Sequence, residues 1–266
     1  MSHVFAAEVR SCRLRASFMI QGQQDIRDAY RDETVAREYV DRRFREPLGA
    51  MLHALQLARM RGVIREARPA RALELAPGPA RLTVDLASDL PRPGVLVDAS
   101  AQMLAEARER LTAAGHTGWR LVQGDAFLLP FSGPFDLVYS FRLIRHFKDD
   151  ERARLYAGIA RLLRPGGLLV FDAVNERVAR AIRERPGSAC QHYDALLTPE
   201  RLANELRTAG FQIIQLDPVQ RHYSILYQLQ VLVAPRSRRL AAVTMGLVDR
   251  IPGGQPLEWV VTCRRT

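Results

Sequence analysis

The sequence predicts an α/β fold in which a doubly wound, seven-stranded and mostly parallel sheet carries helices on both faces. Two observations predict it. From Arg71 onward, short apolar runs alternate with amphipathic helical patterns, which favours parallel strands joined by helical crossovers. The chain has 266 residues, 47% of them hydrophobic, which is enough to bury one large core.

The N-terminal part lacks strand signals. Apolar residues recur at spacings of three and four between residues 26 and 65, which predicts amphipathic helices that Pro47 kinks or splits. We expect residues 1–25 to be a loose extension, residues 26–66 a helical cap, and residues 67–266 the main domain.

The main domain alternates strands and helices. The predicted strands are residues 71–75, 94–98, 119–123, 135–139, 168–171, 211–216 and 258–263. The helices expected between them are residues 80–89, 101–114, 150–163 and 199–209. The segment 217–257, before the last strand, is longer than a hairpin needs and includes an apolar helical stretch. It either caps a pocket or forms another packing layer.

Composition narrows the possible partners. The net charge is +10, and an excess of positive charge favours binding to nucleic acid. However, Lys148 is the only lysine, and the arginines are spread along the chain. This pattern is typical of the codon bias of a GC-rich genome, so the sequence disfavours nucleic acid without excluding it. No apolar run has the length of a transmembrane segment.

The cysteines indicate neither a metal site nor a disulfide framework. Cys12, Cys190 and Cys263 are far apart, with no Cys-x-x-Cys or Cys/His spacing. Few and unpaired cysteines fit a reducing compartment, so we expect a cytoplasmic protein without a metal.

Three polar turns follow the first three strands. A turn around Gly78 opens a helix, where backbone N–H groups and the helix dipole attract an anionic group. Asp98, after the second strand, either accepts hydrogen bonds from a ribose diol or caps the next helix, with Ser100 as the rival cap. Asp125, after the third strand, suits an adenine amino group or a simple polar turn. Open α/β sheets bind ligands at this edge, so together the turns predict a nucleotide-like ligand.

These motifs carry a resemblance over residues 70–175. They are Glu74-Leu-Ala-Pro-Gly78-Pro-Ala80, Val97-Asp-Ala-Ser-Ala-Gln-Met-Leu104, Gly124-Asp-Ala126 with Leu129-Pro-Phe131, Phe135-Asp136, and Leu162-Leu-Arg-Pro-Gly-Gly167. The segment resembles the class I S-adenosylmethionine-dependent methyltransferases, especially the small-molecule group that includes the ubiquinone and menaquinone methyltransferases. The resemblance implies a Rossmann-like sheet. The family loop has glycines where this chain has Ala76 and Ala80, and alanine is unfavourable wherever φ must be positive.

The resemblance implies that S-adenosylmethionine lies across the carboxyl ends of the strands. Glu74 would hold the methionine ammonium or a bridging water, Asp98 the ribose and Asp125 the adenine. Further cofactor-side residues implied by the motifs are Ala76, Gly78, Ala99, Met103, Ala126 and Ser140.

Methyl transfer needs alignment more than side-chain chemistry, but a hydroxyl or ammonium acceptor requires a base. The candidates for catalysis are His146, after the fourth strand, and His192 and Tyr193, which follow the fifth. Each has a structural alternative, as a helix residue or a surface loop. Arg142 and Arg145 either recognise an acidic substrate or are solvated helix charges.

The leading hypothesis is a small-molecule methyltransferase, acting on oxygen, nitrogen or carbon. Alternatives are an RNA or protein methyltransferase, favoured by the charge, and a methyltransferase-like scaffold without catalysis, favoured by the altered glycines. The fourth strand is followed by Tyr139-Ser-Phe-Arg142 rather than Asn/Asp-Pro-Pro-Tyr/Phe, which argues against the branch that methylates base or amide nitrogens. A nicotinamide dehydrogenase is disfavoured by the loop.

Overall fold

A computed structural model describes residues 44, 46–129, 131, 133–184 and 194–266. The expected extension, residues 1–25, and residues 26–43 and 45 of the expected helical cap lie outside the described residues.

The described strands form one sheet. They are β1 (Ala72–Leu75), β2 (Val95–Asp98), β3 (Arg120–Gln123), β4 (Phe135–Ser140), β5 (Leu163–Asn175), β6 (Leu196–Leu197), β7 (Phe211–Arg221) and β8 (Pro256–Arg265). Their order is β3-β2-β1-β4-β5-β8-β7, with the short β6 paired to β5. β8 runs in the opposite direction to the other strands, which are all parallel to one another. The Rossmann-like α/β prediction is confirmed, and the two-residue β6 makes eight strands where seven were predicted.

Helices join the strands. They are α1 (Pro47–Ala67), α2 (Arg81–Leu86), α3 (Ala101–Ala113), α4 (Asp149–Leu162), α5 (Glu176–Arg183), α6 (Pro199–Thr208), α7 (Tyr223–Leu232) and α8 (Arg238–Asp249), with a 3₁₀ turn at Ile144–His146. α1 begins at Pro47, which occupies the first turn, where a missing N–H costs nothing. The extended residue Glu46 separates α1 from the helical residue Phe44, so the predicted helical region is split at Pro47. None of these helices is both long and apolar enough to cross a bilayer.

Strand alternation divides the core between the two faces of the sheet. Leu73 and Leu75 of β1 belong to one buried cluster, whereas Ala72 belongs to the other. In β5, Leu169 and Phe171 join the first cluster while Leu168 and Val170 join the second. Successive side chains point to opposite faces of a strand, so both faces are covered, as a parallel sheet requires.

The segment before the last strand forms a helical hairpin, α7 and α8. β7 extends to Arg221 and β8 begins at Pro256, so the hairpin is shorter than the expected 217–257 insert. Its inner side packs on α1 through Leu226, Ala241 and Met245, which meet Leu48. The hairpin therefore forms a further packing layer over α1.

Candidate active site

A cleft lies at the carboxyl ends of β1 to β4. Its empty volume, including the mouth, is about 1030 Å³. The turns after the four strands contribute Ala76 to Gly78, Asp98 to Ser100, Gly124 to Phe127, and Phe141 to Leu143. Parallel strands all end at one edge, so motifs far apart in sequence converge there.

The turn after β1 keeps the backbone of a glycine-rich loop although two of its positions are alanine. Ala76, Gly78 and Ala80 have φ values of 52°, 55° and 53°. An L-residue in this left-handed region costs about 1–2 kcal/mol, and glycine does not bear that cost. The loop geometry has thus been retained at the expense of strain at Ala76 and Ala80.

Replacing Ala76 with glycine should stabilise the protein. Relief of the left-handed strain stabilises the folded state by more than the added entropy of glycine stabilises the unfolded chain. The free energy of unfolding should therefore rise by about 0.5–1 kcal/mol. Thermal denaturation should show a melting temperature about 1–4 °C higher. The matched variant Ala80→Gly should gain less, because Ala80 is fully buried and its methyl group contributes about 0.8 kcal/mol of burial. A lower melting temperature for Ala76→Gly would contradict the strain.

Asp98 connects the ends of β1 and β2. Its carboxylate accepts hydrogen bonds from the Gly78 N–H at 3.0 Å and the Ser100 N–H at 2.9 Å. Burial raises its pKa, and the bonds from Ser100 and Gly78 oppose that shift. The Ser100 hydroxyl caps α3 by accepting from the Met103 N–H at 3.2 Å. Ser100 is therefore the helix cap, and Asp98 faces the cleft.

Glu74 is a buried acid at the inner end of the cleft. The Thr83 hydroxyl donates to Glu74, and Thr83 and the Tyr139 hydroxyl lie 2.7 Å apart. Burial raises the pKa of Glu74 to about 7, against the opposing hydrogen bond from Thr83 and the charge of Arg81. A cationic group entering the cleft would favour the ionised form of Glu74, since opposite charges attract strongly at buried sites.

The turn after β3 supplies the third acid. Asp125 accepts a hydrogen bond from the Phe127 N–H at 2.9 Å, which shapes the turn. The ring of Phe127 packs edge-on against Phe147, with centroids 4.9 Å apart. This side of the cleft therefore combines an acceptor with flat apolar surface, as a heterocyclic ring requires.

Arg81, at the start of α2, was not predicted. It lines the cleft, donates to the Gln56 side chain at 2.7 Å and stacks 4.0 Å over the Phe44 ring. It also contacts His53 of α1, whose pKa is lowered by burial and by Arg81. A cation at a helix N-terminus opposes the dipole, so no local rule predicts it. Its partners become visible only after α1 packs on α2.

His146 also lines the cleft, in the 3₁₀ turn after β4. Its Nδ1 lies 3.0 Å from an Asp194 carboxylate oxygen, and its side chain is 8% exposed. Burial raises the pKa of Asp194, but the hydrogen bond to His146 and the charge of Arg145 prevail and hold it well below its usual range. The ionised carboxylate favours a proton on Nδ1, which presents Nε2 as the acceptor.

Arg145 is an ionic hub and is not solvated. It is 7% exposed and donates to Glu258 at 2.7 Å, Asp172 at 3.1 Å, and both oxygens of Asp194 at 3.1 Å. It thereby ties the turn that carries His146 to β5 and β8. Arg142 differs, because it lines the cleft and its backbone N–H donates to Asp172 at 2.5 Å.

Comparisons with known proteins bear on this site. The model of a methyltransferase domain matches residues 72–167. A malonyl-[acyl-carrier protein] O-methyltransferase of Methylococcus capsulatus is 32% identical over 179 residues, which cover 65% of this chain and 64% of that protein. A trans-aconitate 2-methyltransferase of Streptomyces coelicolor is 32% identical over 160 residues, 54% of this chain and 52% of that protein.

Residues 72–167 are therefore similar to a methyltransferase domain.

Solved structures share the fold. A methyltransferase from Clostridium acetobutylicum matches with a TM-score of 0.58 at 13% identity, covering 80% of this chain and 92% of that one. The magnesium protoporphyrin IX methyltransferase of Synechocystis, with bound S-adenosylhomocysteine, also gives 0.58 at 13%, covering 88% and 100%. The [4+2]-cyclase SpnF gives 0.54 at 20%, covering 78% and 80%. One of these proteins is named a cyclase, so the shared fold does not identify the reaction. The reaction has to be inferred from the residues of the site.

The structure brings together most residues predicted for a methyltransferase of this class. The predicted residues that line the cleft are Glu74, Ala76, Gly78, Asp98, Ala99, Met103, Asp125, Ala126 and His146. Ser140 is not among the described lining residues, since it is buried and its hydroxyl donates to the Leu75 carbonyl at 2.8 Å. His192 and Tyr193 lie outside the described residues.

The cleft fits the family's cofactor on its own geometry. A half-buried carboxylate, Asp98, lies beside a left-handed turn at Gly78, where a glycine leaves the backbone uncovered. A second acid, Glu74, is buried and available for a cation. The curated relatives match this chain over about half to two-thirds of their own length.

Proposed function

We propose that the protein transfers a methyl group from S-adenosylmethionine to a hydroxyl oxygen of a small-molecule acceptor, with His146 as the base. The observation that carries this proposal is the position of His146, oriented by Asp194, on the same cleft as Asp98 and Glu74. The similarity of residues 72–167 to a methyltransferase domain supports S-adenosylmethionine as the cofactor.

Each of the three acids would bind a different part of the cofactor. Asp98 would accept the ribose hydroxyls, Asp125 the adenine amino group, and Glu74 the methionine ammonium. Gly78 would allow the backbone to approach closely. S-adenosylmethionine supplies a methyl group on a positively charged sulfur that leaves as an uncharged thioether.

The chain's own contribution is alignment and removal of one proton. Asp194 holds the proton of the His146 ring on Nδ1, so Nε2 accepts the hydroxyl proton as the oxygen forms its new bond. The carboxylate then stabilises the imidazolium that results, as in other oriented histidine bases. Phe127, Phe141 and Phe147 line the cleft and exclude water.

Oxygen is the proposed acceptor atom on two grounds. Four of the matching curated relatives are named O-methyltransferases, of malonyl-[acyl-carrier protein] or in ubiquinone biosynthesis. A neutral hydroxyl needs a base, and the cleft holds one. Arg142, also on the cleft, suits a carboxylate elsewhere on the acceptor.

We also propose a small molecule over nucleic acid as partner, and a cytoplasmic location. None of the short arginine clusters within the described residues, Arg236 to Arg239 and Arg264 to Arg265, lines the cleft. Cys263 is a buried free thiol, as a reducing compartment allows.

Titration calorimetry with S-adenosylhomocysteine tests the cofactor site. The folded protein should bind it, and Asp98→Ala should weaken binding about 100-fold, because two hydrogen bonds to a charged group are lost. The matched variant is Asp150→Ala, which removes an exposed acid of α4 and should leave the affinity unchanged. Absence of binding by the folded wild-type protein would overturn the proposal.

A further inference from the structure

The outer side of α8 is apolar although it faces water. Leu240, Val243 and Leu247 follow spacings of three and four, which align them along one side of α8, and Ile251 lies two residues beyond its end. They are between 52% and 62% exposed. We call these four residues the α8 stripe.

The neighbouring helix also exposes apolar side chains. On α7, Ile225, Tyr227, Val231 and Leu232 are between 39% and 62% exposed. The inner side of the hairpin is already packed against α1. Eight large apolar side chains on and beside the hairpin therefore leave about two-fifths or more of their surface in contact with water, and exposed apolar side chains in such number mark an interaction surface.

Positive charge borders the apolar face. Arg239 and Arg250 each precede a residue of the α8 stripe by one position, and both are exposed. Neither makes an ion pair with any residue that the structure describes. Residues 222–255 contain four arginines and one acid, Asp249, whose carboxylate accepts from the Arg221 backbone N–H at 2.7 Å. The face is thus complementary to an anionic partner.

The same side of the molecule has a second cavity. It lies between α1, β7 and α8, has an empty volume of about 1260 Å³ including its mouth, and shares no lining residue with the candidate active site. Its lining includes Arg59, Arg221 and Arg250. Arginine side chains that line an open cavity can bind phosphate groups through two parallel hydrogen bonds.

We propose that the α7–α8 hairpin docks the protein on the surface of an anionic lipid bilayer. The α8 stripe and the exposed side chains of α7 enter the boundary between headgroups and acyl chains, while Arg239 and Arg250 contact lipid phosphates. The helices have 10 and 12 residues, which is too short to span a bilayer but suits a position within its surface. A folded protein partner fits less well, because the arginines border the apolar side chains and do not alternate with them.

The hairpin sits at a functional edge of the sheet. β7 and β5 both run antiparallel to β8, so they are parallel to each other, and the hairpin follows β7 at the edge where the cleft opens. Docking would bring the cleft close to the bilayer surface. The proposal itself concerns binding and does not depend on the reaction.

Vesicle flotation with the full chain tests the proposal. The protein should float with vesicles made of equal parts of phosphatidylcholine and phosphatidylglycerol, and bind vesicles of phosphatidylcholine alone about tenfold more weakly. The double variant Val243→Glu and Leu247→Glu should reduce partitioning into the mixed vesicles by about 100-fold. The pair Arg239→Gln and Arg250→Gln should remove the preference for the anionic lipid.

The matched control is Ile214→Glu, which replaces an exposed apolar residue of β7 outside the hairpin and should bind vesicles like the wild type. Circular dichroism of each variant establishes that it is folded. The proposal is overturned if the wild type does not float, or if the folded stripe variant floats like the wild type. It is also overturned if light scattering shows a dimer that the stripe variant dissociates while vesicle binding is absent, since the face then covers a second copy.

Discussion

Replacing His146 with alanine is expected to lower the rate of methyl transfer by about 10²- to 10⁴-fold, the usual contribution of a positioned base. The affinity for S-adenosylhomocysteine should change little, because the proposed cofactor contacts come from the three acids. The measurement is a single-turnover rate with S-adenosylmethionine and an acceptor that the wild type methylates. His116→Ala, in the turn after α3, is the control and should keep the wild-type rate.

The size of this loss also distinguishes two kinds of acceptor. A hydroxyl must lose its proton, whereas a carboxylate is already ionised at neutral pH. A folded His146→Ala variant that retains the wild-type rate would contradict the role of base and point to a carboxylate oxygen. In that case Arg142, on the same cleft, becomes the side chain to vary next.

Replacing Arg145 with methionine is expected to destabilise the protein by about 3–5 kcal/mol. Methionine keeps the length of the side chain but leaves Asp172, Asp194 and Glu258 without their shared cation, and uncompensated buried charges are costly. Thermal denaturation should show a melting temperature at least about 6 °C lower. Arg207→Met, an exposed arginine of α6, should be close to neutral.

The Arg145 network also fixes the direction of a pH effect. The pKa of Asp194 is lower in the folded protein than in the unfolded chain, so its contribution is present above its ordinary pKa and is lost as the pH falls below it. Acid should therefore destabilise the wild type more than Arg145→Met. If Arg145→Met lowers the free energy of unfolding by less than about 1 kcal/mol at neutral pH, the network does not stabilise the fold.

The convergence of the turns after β1 to β3 on one cleft could be predicted because its signals are local. Asp98, Gly78 and Asp125 each follow a strand end, and parallel topology brings strand ends together. The same motif marked Ala76 and Ala80 as positions where a positive φ would be unfavourable, and the structure gives both a positive φ. Ser140 differed because its hydroxyl bridges β4 to β1 instead of facing the cleft.

The acceptor side could not be predicted in the same way. Asp194 and His146 are 48 positions apart and meet only because β6 returns beside β5. Arg81 and His53 require the packing of α1 on α2. The helix α7 escaped detection because apolar side chains occupy both its inner and outer sides, which removes the amphipathic period on which sequence analysis depends.

The position of β8 constrains the order of folding. It is the last strand along the chain, yet it lies between β5 and β7 and makes all the sheet hydrogen bonds that β7 has in the described structure. During synthesis, β7 therefore has no strand to pair with until residues 256–265 emerge from the ribosome. Until then β5 and β7 each expose an open edge, which is where a nascent chain is most prone to mispairing. During this interval, the open edges of β5 and β7 are the surfaces that a chaperone of nascent chains would bind.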